Sequence, residues 1–268
     1  MRTVRVGLAT TEAGEGGRPL LLVHGFTGAR EDFDDHVPAF AAAGWHVVVP
    51  DLPGHGDSHP QDIVHGFDTY AGIVFALVDS LGWDRFALLG HSMGGVVAQH
   101  VALAAPHRLT ALVLMDTSPD RFHVDAGLVE AACEIVSTKG MDALLAVQKE
   151  IGGPLETEAA RRLRVDRAGW EEQQDRKLLR AAPSMYVAMS RALIAAPSRA
   201  EQLGQLSTPT LVIVGEQDLP LLDASARLAS AIPGARLVQI ADAGHSPQVE
   251  APERWFALVR TFLNEVSA

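Results

Sequence analysis

The fold of this chain is decided by the stretch FALLGHSMGGVVAQHVALA, residues 86–104. Residues 86–89 form a short apolar run that predicts a buried strand, and residues 95–104 have the apolar spacing of a helix. A strand that turns directly into a helix must fold back sharply, so Ser92 at the apex takes a strained backbone conformation. Gly90 and Gly94 leave space where strand and helix press together. The hydroxyl of Ser92 is then exposed at a helix N-terminus, and the pattern predicts a nucleophile rather than a structural serine.

Composition excludes several classes of protein. A chain of 268 residues fits one α/β domain with an insertion or two small domains, and 47% hydrophobic with 21% charged residues is typical of a soluble protein. A net charge of -11 argues against nucleic acid as a partner, because binding it requires clustered Lys and Arg. Cys133 is the only cysteine, so neither an intrachain disulfide nor a cysteine metal cluster is expected. Without a long apolar run, we expect no membrane span and a cytoplasmic location.

Strands and helices alternate along most of the chain. Strands are predicted at residues 3–9, 20–23, 46–49, 86–89, 112–115, 210–214 and 236–240. Helices are predicted near residues 33–43, 67–81, 94–104, 224–231 and 252–263. A glycine-rich turn follows the first strand at residues 14–17. This alternation predicts a mostly parallel sheet that is covered by helices on both faces.

One segment interrupts the alternation. Residues 117–206 contain no convincing strand, and Gly140, Gly152-Gly153-Pro154 and Pro183 divide them into four or five predicted helices. We therefore predict a core domain of residues 1–116 and 207–268 and a helical cap of residues 117–206. Such a cap would form a lid over the C-terminal end of the sheet, and its amphipathic helices could also form a dimer surface.

A serine nucleophile needs a base, and the base needs an acid that orients it. His245 is the best candidate base, because it follows the last strand on a loop that reaches the C-terminal edge of the sheet. Asp218, in the turn after the strand at 210–214, is the preferred acid. Asp116, at the end of the preceding strand, is the second candidate, and Glu216 is the third. Each of these acids could instead simply cap a turn or helix.

The tetrahedral intermediate of such a reaction needs two hydrogen-bond donors for its oxyanion. One should be the backbone N–H of Met93, the residue after the nucleophile, and the other the backbone N–H of Phe26 in the loop after residue 23. Gly25 permits the turn of that loop. His24 is predicted to be a structural hydrogen-bonding residue beneath the loop rather than a participant in proton transfer.

The chain resembles the α/β-hydrolase superfamily over nearly its whole length. The matching motifs are His24-Gly25-Phe26, DLPGHGDS at residues 51–58, the Ser92 turn, the GEQD turn at residues 215–218, and Gly244-His245. The resemblance implies an eight-stranded sheet, a helical lid between strands six and seven, and the order serine, acid, histidine. It supports Ser92, Asp218, His245, Phe26 and Met93 as site residues. It requires no metal and no organic cofactor, and it gives the 51–58 segment, with His55, a structural role.

Departures from subfamily patterns narrow the expected reaction. Relatives that open epoxides or displace halide have an aspartate where this chain has Ser92. The C–C hydrolases of aromatic degradation usually have a tryptophan after the catalytic histidine, where this chain has Ser246. The His-Gly-Gly-Pro loop of proline-specific peptidases is also absent. We therefore expect hydrolysis of a small-molecule ester or lactone. Alternatives are thioester hydrolysis, C–C hydrolysis, perhydrolysis, a cofactor-free lyase step, or a ligand-binding protein that has lost catalysis.

The predicted cap is rich in methionine and aromatic residues. Met185 and Met189 are one helical turn apart, and Tyr186 lies between them in the sequence. These three residues, with Phe26, either line an apolar substrate pocket or pack the cap onto the core. For Trp170 and Phe122, packing is the favoured interpretation.

Overall fold

A computed structural model describes residues 1–58, 63–152 and 156–266. Eight strands form one sheet: β1 Arg2–Arg5, β2 Leu8–Ala13, β3 Arg18–Val23, β4 Trp45–Pro50, β5 Phe86–His91, β6 Leu109–Met115, β7 Thr210–Gly215 and β8 Arg236–Ile240. The α-helices are α1 Val37–Ala42, α2 Phe67–Ser80, α3 Met93–Ala104, α4 Ala126–Ile151, α5 Glu158–Asp166, α6 Trp170–Leu179, α7 Pro183–Ala195, α8 Ala200–Leu203, α9 Leu219–Ala231, α10 Pro247–Glu250 and α11 Pro252–Val266. Short 3₁₀ helices lie at Arg30–Asp32, Asp34–His36 and Pro106–Arg108.

The strand order is β1-β2-β4-β3-β5-β6-β7-β8. The β1–β2 and β2–β4 pairs are antiparallel, and all other neighbouring pairs are parallel. The carboxyl ends of β3, β5, β6 and β7 therefore meet at one edge of the sheet. Because this edge collects the loops that follow each strand, side chains far apart in sequence converge there.

Two apolar layers cover the central strands, as expected for a sheet that is buried on both faces. Leu21 and Val23 point into one layer, with residues of α2 and α3, and Leu20 and Leu22 point into the other, with residues of α1 and α11. This alternation follows from the two-residue period of a strand. The predicted mostly parallel α/β sheet is confirmed.

The first predicted strand is wrong in one respect. Instead of one strand over residues 3–9, β1 and β2 form a hairpin, with Val6 at φ 45° and Gly7 at φ 79° in the turn. Gly7 adopts this left-handed conformation without steric cost, whereas Val6 is strained in it. The predicted turn at residues 14–17 follows β2, and the Gly17 N–H donates to the Gly14 carbonyl at 2.9 Å.

Two α-helices begin several residues away from their predicted first residues. The helix expected at 33–43 is α-helical only from Val37, and 3₁₀ turns precede it. Pro38 lacks an N–H and would clash with the carbonyl of residue 34 in a longer α-helix. In contrast, α9 begins at Leu219, earlier than predicted, because Pro220 is well suited to its first turn.

Every described element between β6 and β7 is a helix, namely α4 to α8. Gly140, at φ 83° and ψ -179°, interrupts α4, and Pro183 begins α7. The predicted break at Gly153 and Pro154 lies outside the described residues. None of the described helices is long and apolar enough to span a membrane.

Candidate active site

Ser92 occupies the turn between β5 and α3, with φ 53° and ψ -117°. Its N–H donates to the Met115 carbonyl of β6 at 2.8 Å, which ties the turn to the neighbouring strand. A Cβ on Gly90 would lie 2.3 Å from the Gly94 carbonyl oxygen, and a Cβ on Gly94 would lie 2.4 Å from that of His24. Both glycines are therefore required by close backbone contacts. The strained conformation predicted for Ser92 is present, and the residue is 8% exposed.

His245 connects the serine to a carboxylate. Its Nε2 lies 2.9 Å from Ser92 Oγ, and its Nδ1 lies 2.7 Å from Asp218 Oδ2. A carboxylate can only accept, so we assign the proton to Nδ1, which leaves Nε2 free to accept the serine hydroxyl. The His245 side chain is 12% exposed and that of Asp218 is 1% exposed. The structure thus brings these three predicted residues into one hydrogen-bonded chain.

The pKa of Asp218 reflects two opposing effects. Burial acts to raise it, but the hydrogen bond and the charge of His245 outweigh burial and hold the pKa below its usual value. Asp218 therefore remains ionised and can stabilise a cationic imidazole.

Asp116, the second candidate acid, lies directly behind Asp218 and not against the imidazole. Its Oδ1 accepts the Gly215 N–H at 2.9 Å, and its side chain is fully buried. Burial and the adjacent negative charge of Asp218 raise the pKa of Asp116 well above the ordinary value. A protonated Asp116 can then donate a hydrogen bond to Asp218. The third candidate, Glu216, is exposed and accepts the Asp242 N–H at 3.0 Å, away from the imidazole.

Among the described residues, Asp116, Asp218 and His245 form a group that could bind a cation. One ligand-type atom from each lies within 4.8 Å of the others. The Nδ1 of His245 is already used in the hydrogen bond to Asp218, so this group fits a proton relay better than a cation site.

Phe26 and Met93, whose N–H groups are the predicted oxyanion donors, directly follow Gly25 and Ser92 in the chain. Met93 begins α3, and Phe26 follows the end of β3 in a loop that passes close to the nucleophile, since a Cβ on Gly25 would lie 3.1 Å from Ser92 Cβ. In the described part of the chain, the N–H groups of Phe26 and Met93 are not donated to any protein acceptor. Both N–H groups are therefore free of protein acceptors, which the predicted role requires.

His24 supports this loop from below, as predicted from the sequence. Its Nε2 accepts the Leu52 N–H at 2.9 Å, and its Nδ1 lies 2.8 Å from the Gly25 carbonyl oxygen, to which it donates. His24 thereby ties the loop after β3 to the loop after β4.

Two positioning contacts of His245 were missed by sequence reasoning. Glu250 Oε2 accepts the N–H groups of Gly244 and Ser246 at 2.7 and 3.0 Å. His91 Nε2 lies 2.6 Å from the His245 carbonyl oxygen, and burial, together with the charge of His245, lowers the pKa of His91 to about 3. A neutral His91 can donate to that carbonyl without adding a positive charge. Glu250 is five residues after His245, and this spacing is the only signal that the sequence offered.

Helix α6 contacts the segment after β3 through a buried ion pair. Lys177 Nζ binds Asp32 Oδ1, and Asp32 Oδ2 accepts the Ala29 N–H at 3.2 Å. The Lys177 charge outweighs burial and holds the pKa of Asp32 below its usual value. Farther out, Arg180 binds Glu31 at 2.7 Å and Asp57 at 2.9 Å. Ion pairs thus hold the end of α6 beside the loop that carries Phe26.

The predicted pocket residues Met185, Tyr186 and Met189 lie on α7. Met185 and Met189 are fully buried, and a Cβ on Gly54 would lie 2.6 Å from Met185 Cβ, so α7 packs against the 51–58 loop. The Tyr186 ring centroid lies 5.0 Å from that of Phe26. None of these three lines the cavity of about 610 Å³ beside His245, whose wall instead includes Trp170. A second cavity of about 510 Å³, away from the triad, contains Phe122.

The sheet topology and the hydrogen-bonded Ser92, His245 and Asp218 at its carboxyl edge define the fold class as α/β hydrolase. The sequence model of the alpha/beta hydrolase family matches residues 20–258. The chain therefore belongs to the alpha/beta hydrolase family.

Similar proteins have different activities. The dihydrolipoyllysine-residue acetyltransferase component of the acetoin cleaving system of Cupriavidus necator is 30% identical over 93% of this chain, which spans 64% of that relative. The 2-hydroxy-6-oxononadienedioate/2-hydroxy-6-oxononatrienedioate hydrolase of Burkholderia vietnamiensis is 30% identical over 94% of this chain and 89% of its own length. The solved structure of a thermophilic esterase from Thermogutta terrifontis matches with a TM-score of 0.85 at 30% identity, covering 97% of this chain and 94% of that chain.

Proposed function

We propose that the protein is a serine hydrolase that cleaves a carboxylic ester or lactone through an acyl-enzyme on Ser92. The observation that carries the proposal is the continuous chain of hydrogen bonds from Ser92 Oγ through His245 to Asp218. Serine is a weak nucleophile by itself, and this arrangement supplies both the base and the acid that orients it.

In the first half of the reaction, Ser92 Oγ attacks the carbonyl carbon of the ester while His245 Nε2 accepts the hydroxyl proton. The negative charge on the carbonyl oxygen accepts hydrogen bonds from the N–H groups of Phe26 and Met93, and each such donor contributes on the order of 3 kcal/mol to the transition state. The ester C–O bond then breaks, and His245 gives its proton to the leaving alcohol.

In the second half, a water molecule replaces the alcohol. His245 removes a proton from this water as its oxygen attacks the acyl carbon, and the same two N–H groups stabilise the oxyanion again. Collapse of the intermediate breaks the acyl–Ser92 bond and returns the proton to Ser92 Oγ. The products are the alcohol and the carboxylic acid, and a lactone gives both groups in one molecule. These steps involve neither a metal nor an organic cofactor.

C–C bond hydrolysis is the second candidate, because the Burkholderia relative carries the name of a dienedioate hydrolase. The residue after the histidine argues against C–C hydrolysis, since Ser246 lies where the C–C hydrolases of aromatic degradation usually have a tryptophan. The esterase similarity supports the first candidate.

The test is hydrolysis of a short p-nitrophenyl ester by the wild-type protein and by Ser92→Ala, His245→Ala and the double variant. We expect each single substitution to abolish turnover and the double variant to be little worse than either, because the two residues act as a unit. A Ser92→Ala variant that retained most of the activity would contradict the proposal. A panel of esters, lactones, thioesters and a vinylogous diketone would separate ester from C–C hydrolysis.

The proposal also includes a cytoplasmic enzyme with a small-molecule substrate. The proposal further includes a dimer that forms through the cap helices. Size-exclusion chromatography with light scattering would test for this dimer.

A further inference from the structure

The cavity beside His245 is bounded by the end of α4, by α5 and α6, and by the loop that carries the histidine. Its volume is about 610 Å³, within the range of small-molecule sites. Leu145, Leu163, Leu178 and Trp170 form its apolar wall, and His245 contributes to its inner end. Ser92 itself does not line the cavity, but His245, whose Nε2 lies 2.9 Å from Ser92 Oγ, and Thr27, the residue after Phe26, both do. The cavity therefore lies next to Ser92, and part of an ester held there would extend into it.

Both cations on the wall of this cavity are already paired. Lys149 Nζ binds Asp175 Oδ2 at 2.5 Å, and the Arg164 guanidinium binds both oxygens of Glu156 at 2.7 Å. The hydrogen bond to Asp175 raises the pKa of Lys149, and that to Glu156 raises the pKa of Arg164. Neither cation offers an unpaired charge to a substrate anion.

Two further carboxylates line the same cavity. Glu250 accepts the N–H groups on both sides of His245, which holds its carboxyl group at the inner end, and burial raises the pKa of Glu250 above its usual value. Glu171, at the exposed start of α6, forms no ion pair with any described residue. The described wall therefore carries four carboxylates and two cations, and an entering anion would be repelled.

One polar group on the wall lacks a partner. The Nε2 of Gln174 is buried and makes no hydrogen bond to a described protein atom. An amide N–H₂ donates only, and this atom is covered by protein, so the Gln174 side chain must turn toward the cavity before a carbonyl, ether or hydroxyl oxygen of a substrate can accept its hydrogen bond. A neutral acceptor could do so without bringing a negative charge close to Glu171 and Glu250.

We propose that this cavity selects esters whose bound portion is uncharged and carries an oxygen acceptor, and that it discriminates against portions that carry a carboxylate. This proposal rests on the proposed ester hydrolysis at Ser92 and specifies its substrate class. The proposed preference for an uncharged substrate differs from what the name of the Burkholderia relative specifies. That name includes a dioate, which is a dicarboxylate.

The test compares three p-nitrophenyl esters that share one leaving group: the pentanoate, the hemiglutarate with a free carboxylate, and the methyl ester of that hemiglutarate. We expect kcat/KM for the hemiglutarate to be lower than for its methyl ester by on the order of ten-fold at low salt. Equal rates, or a faster hemiglutarate, would overturn the inference and leave the proposed function intact. If none of the three is hydrolysed, the proposed function fails and this inference fails with it.

A matched pair of variants tests whether Glu171 contributes to the discrimination against a substrate carboxylate. Glu171→Gln removes a carboxylate from the cavity wall, whereas Glu172→Gln removes the same charge from the next residue of α6, which is exposed and does not line the cavity. We expect Glu171→Gln to raise the hemiglutarate to methyl ester ratio of kcat/KM by roughly three-fold, and Glu172→Gln to leave it unchanged. An equal effect of the two substitutions, or no effect of Glu171→Gln, would overturn the inference.

Discussion

Replacement of aspartate by asparagine should have a large effect on kcat at Asp218 and a small one at Asp116, although both aspartates are buried close to His245. Asp218→Asn replaces the carboxylate 2.7 Å from His245 Nδ1 with a neutral amide. This change removes the charge that stabilises the imidazolium, and the amide N–H₂ favours the wrong imidazole tautomer. In a serine protease, the corresponding change lowers kcat by about 10⁴-fold, and we expect a similar loss here.

Asp116→Asn should have a much smaller effect. Because burial and the charge of Asp218 raise the pKa of Asp116, the native side chain is a neutral acid that donates one hydrogen bond and accepts another. Asparagine keeps both, since its N–H₂ can donate to Asp218 and its oxygen can accept the Gly215 N–H. We expect kcat to remain within about ten-fold of the wild-type value, less than the loss of one whole oxyanion donor would cause.

The assay is steady-state hydrolysis of p-nitrophenyl butyrate near neutral pH by both variants, with circular dichroism melts as a control for folding. If Asp116→Asn lost as much activity as Asp218→Asn, the assignment of Asp218 as the only acid of the relay would be refuted. Retention of most activity by Asp218→Asn would refute it equally.

Three further predictions concern the surroundings of the relay. Lys177→Met leaves Asp32 buried without its cation and should lower the free energy of unfolding by about 3–5 kcal/mol in urea titrations, whereas the control Arg180→Met should cost about 1 kcal/mol or less. Similar losses for the two variants would contradict this difference. Glu250→Ala should lower kcat by on the order of 100-fold because His245 loses its backbone support, while Glu250→Gln, which keeps an acceptor oxygen, should stay within a few-fold. Equal kcat for the alanine and glutamine variants would exclude that role. Because the folded pKa of Asp116 is raised above its unfolded value, its contribution to stability is present at low pH and lost as pH rises. The stability of Asp116→Asn relative to wild type should therefore increase between pH 5 and 8, by at most about 1.4 kcal/mol per pH unit in urea titrations, and a constant difference would contradict the raised pKa.

The sequence predicted those parts of the site that depend on local geometry. The turn at Ser92 follows from a strand, two glycines and a helix that are adjacent in sequence, and the positions of Asp218 and His245 follow from loops at the ends of strands. In contrast, Val6 gave no sign of the hairpin, because alternation continues through the turn.

Features that depend on long-range packing could not be predicted. Asp116 and Asp218 follow neighbouring parallel strands, so the sequence placed both near His245 but could not decide which one contacts the imidazole. The contact of Lys177 with Asp32 joins residues that are 145 positions apart. The charged wall of the cavity likewise results from how α4, α5 and α6 pack, whereas the sequence drew attention to the apolar residues of α7.

The identity of the nucleophile is tested most directly by a fluorophosphonate probe followed by intact-mass and peptide analysis. We expect a single adduct on the peptide that contains Ser92, no adduct in Ser92→Ala, and strongly slowed labelling in His245→Ala. Labelling of Ser92→Ala at the wild-type rate, or an adduct that maps to another residue, would contradict nucleophilic catalysis by Ser92.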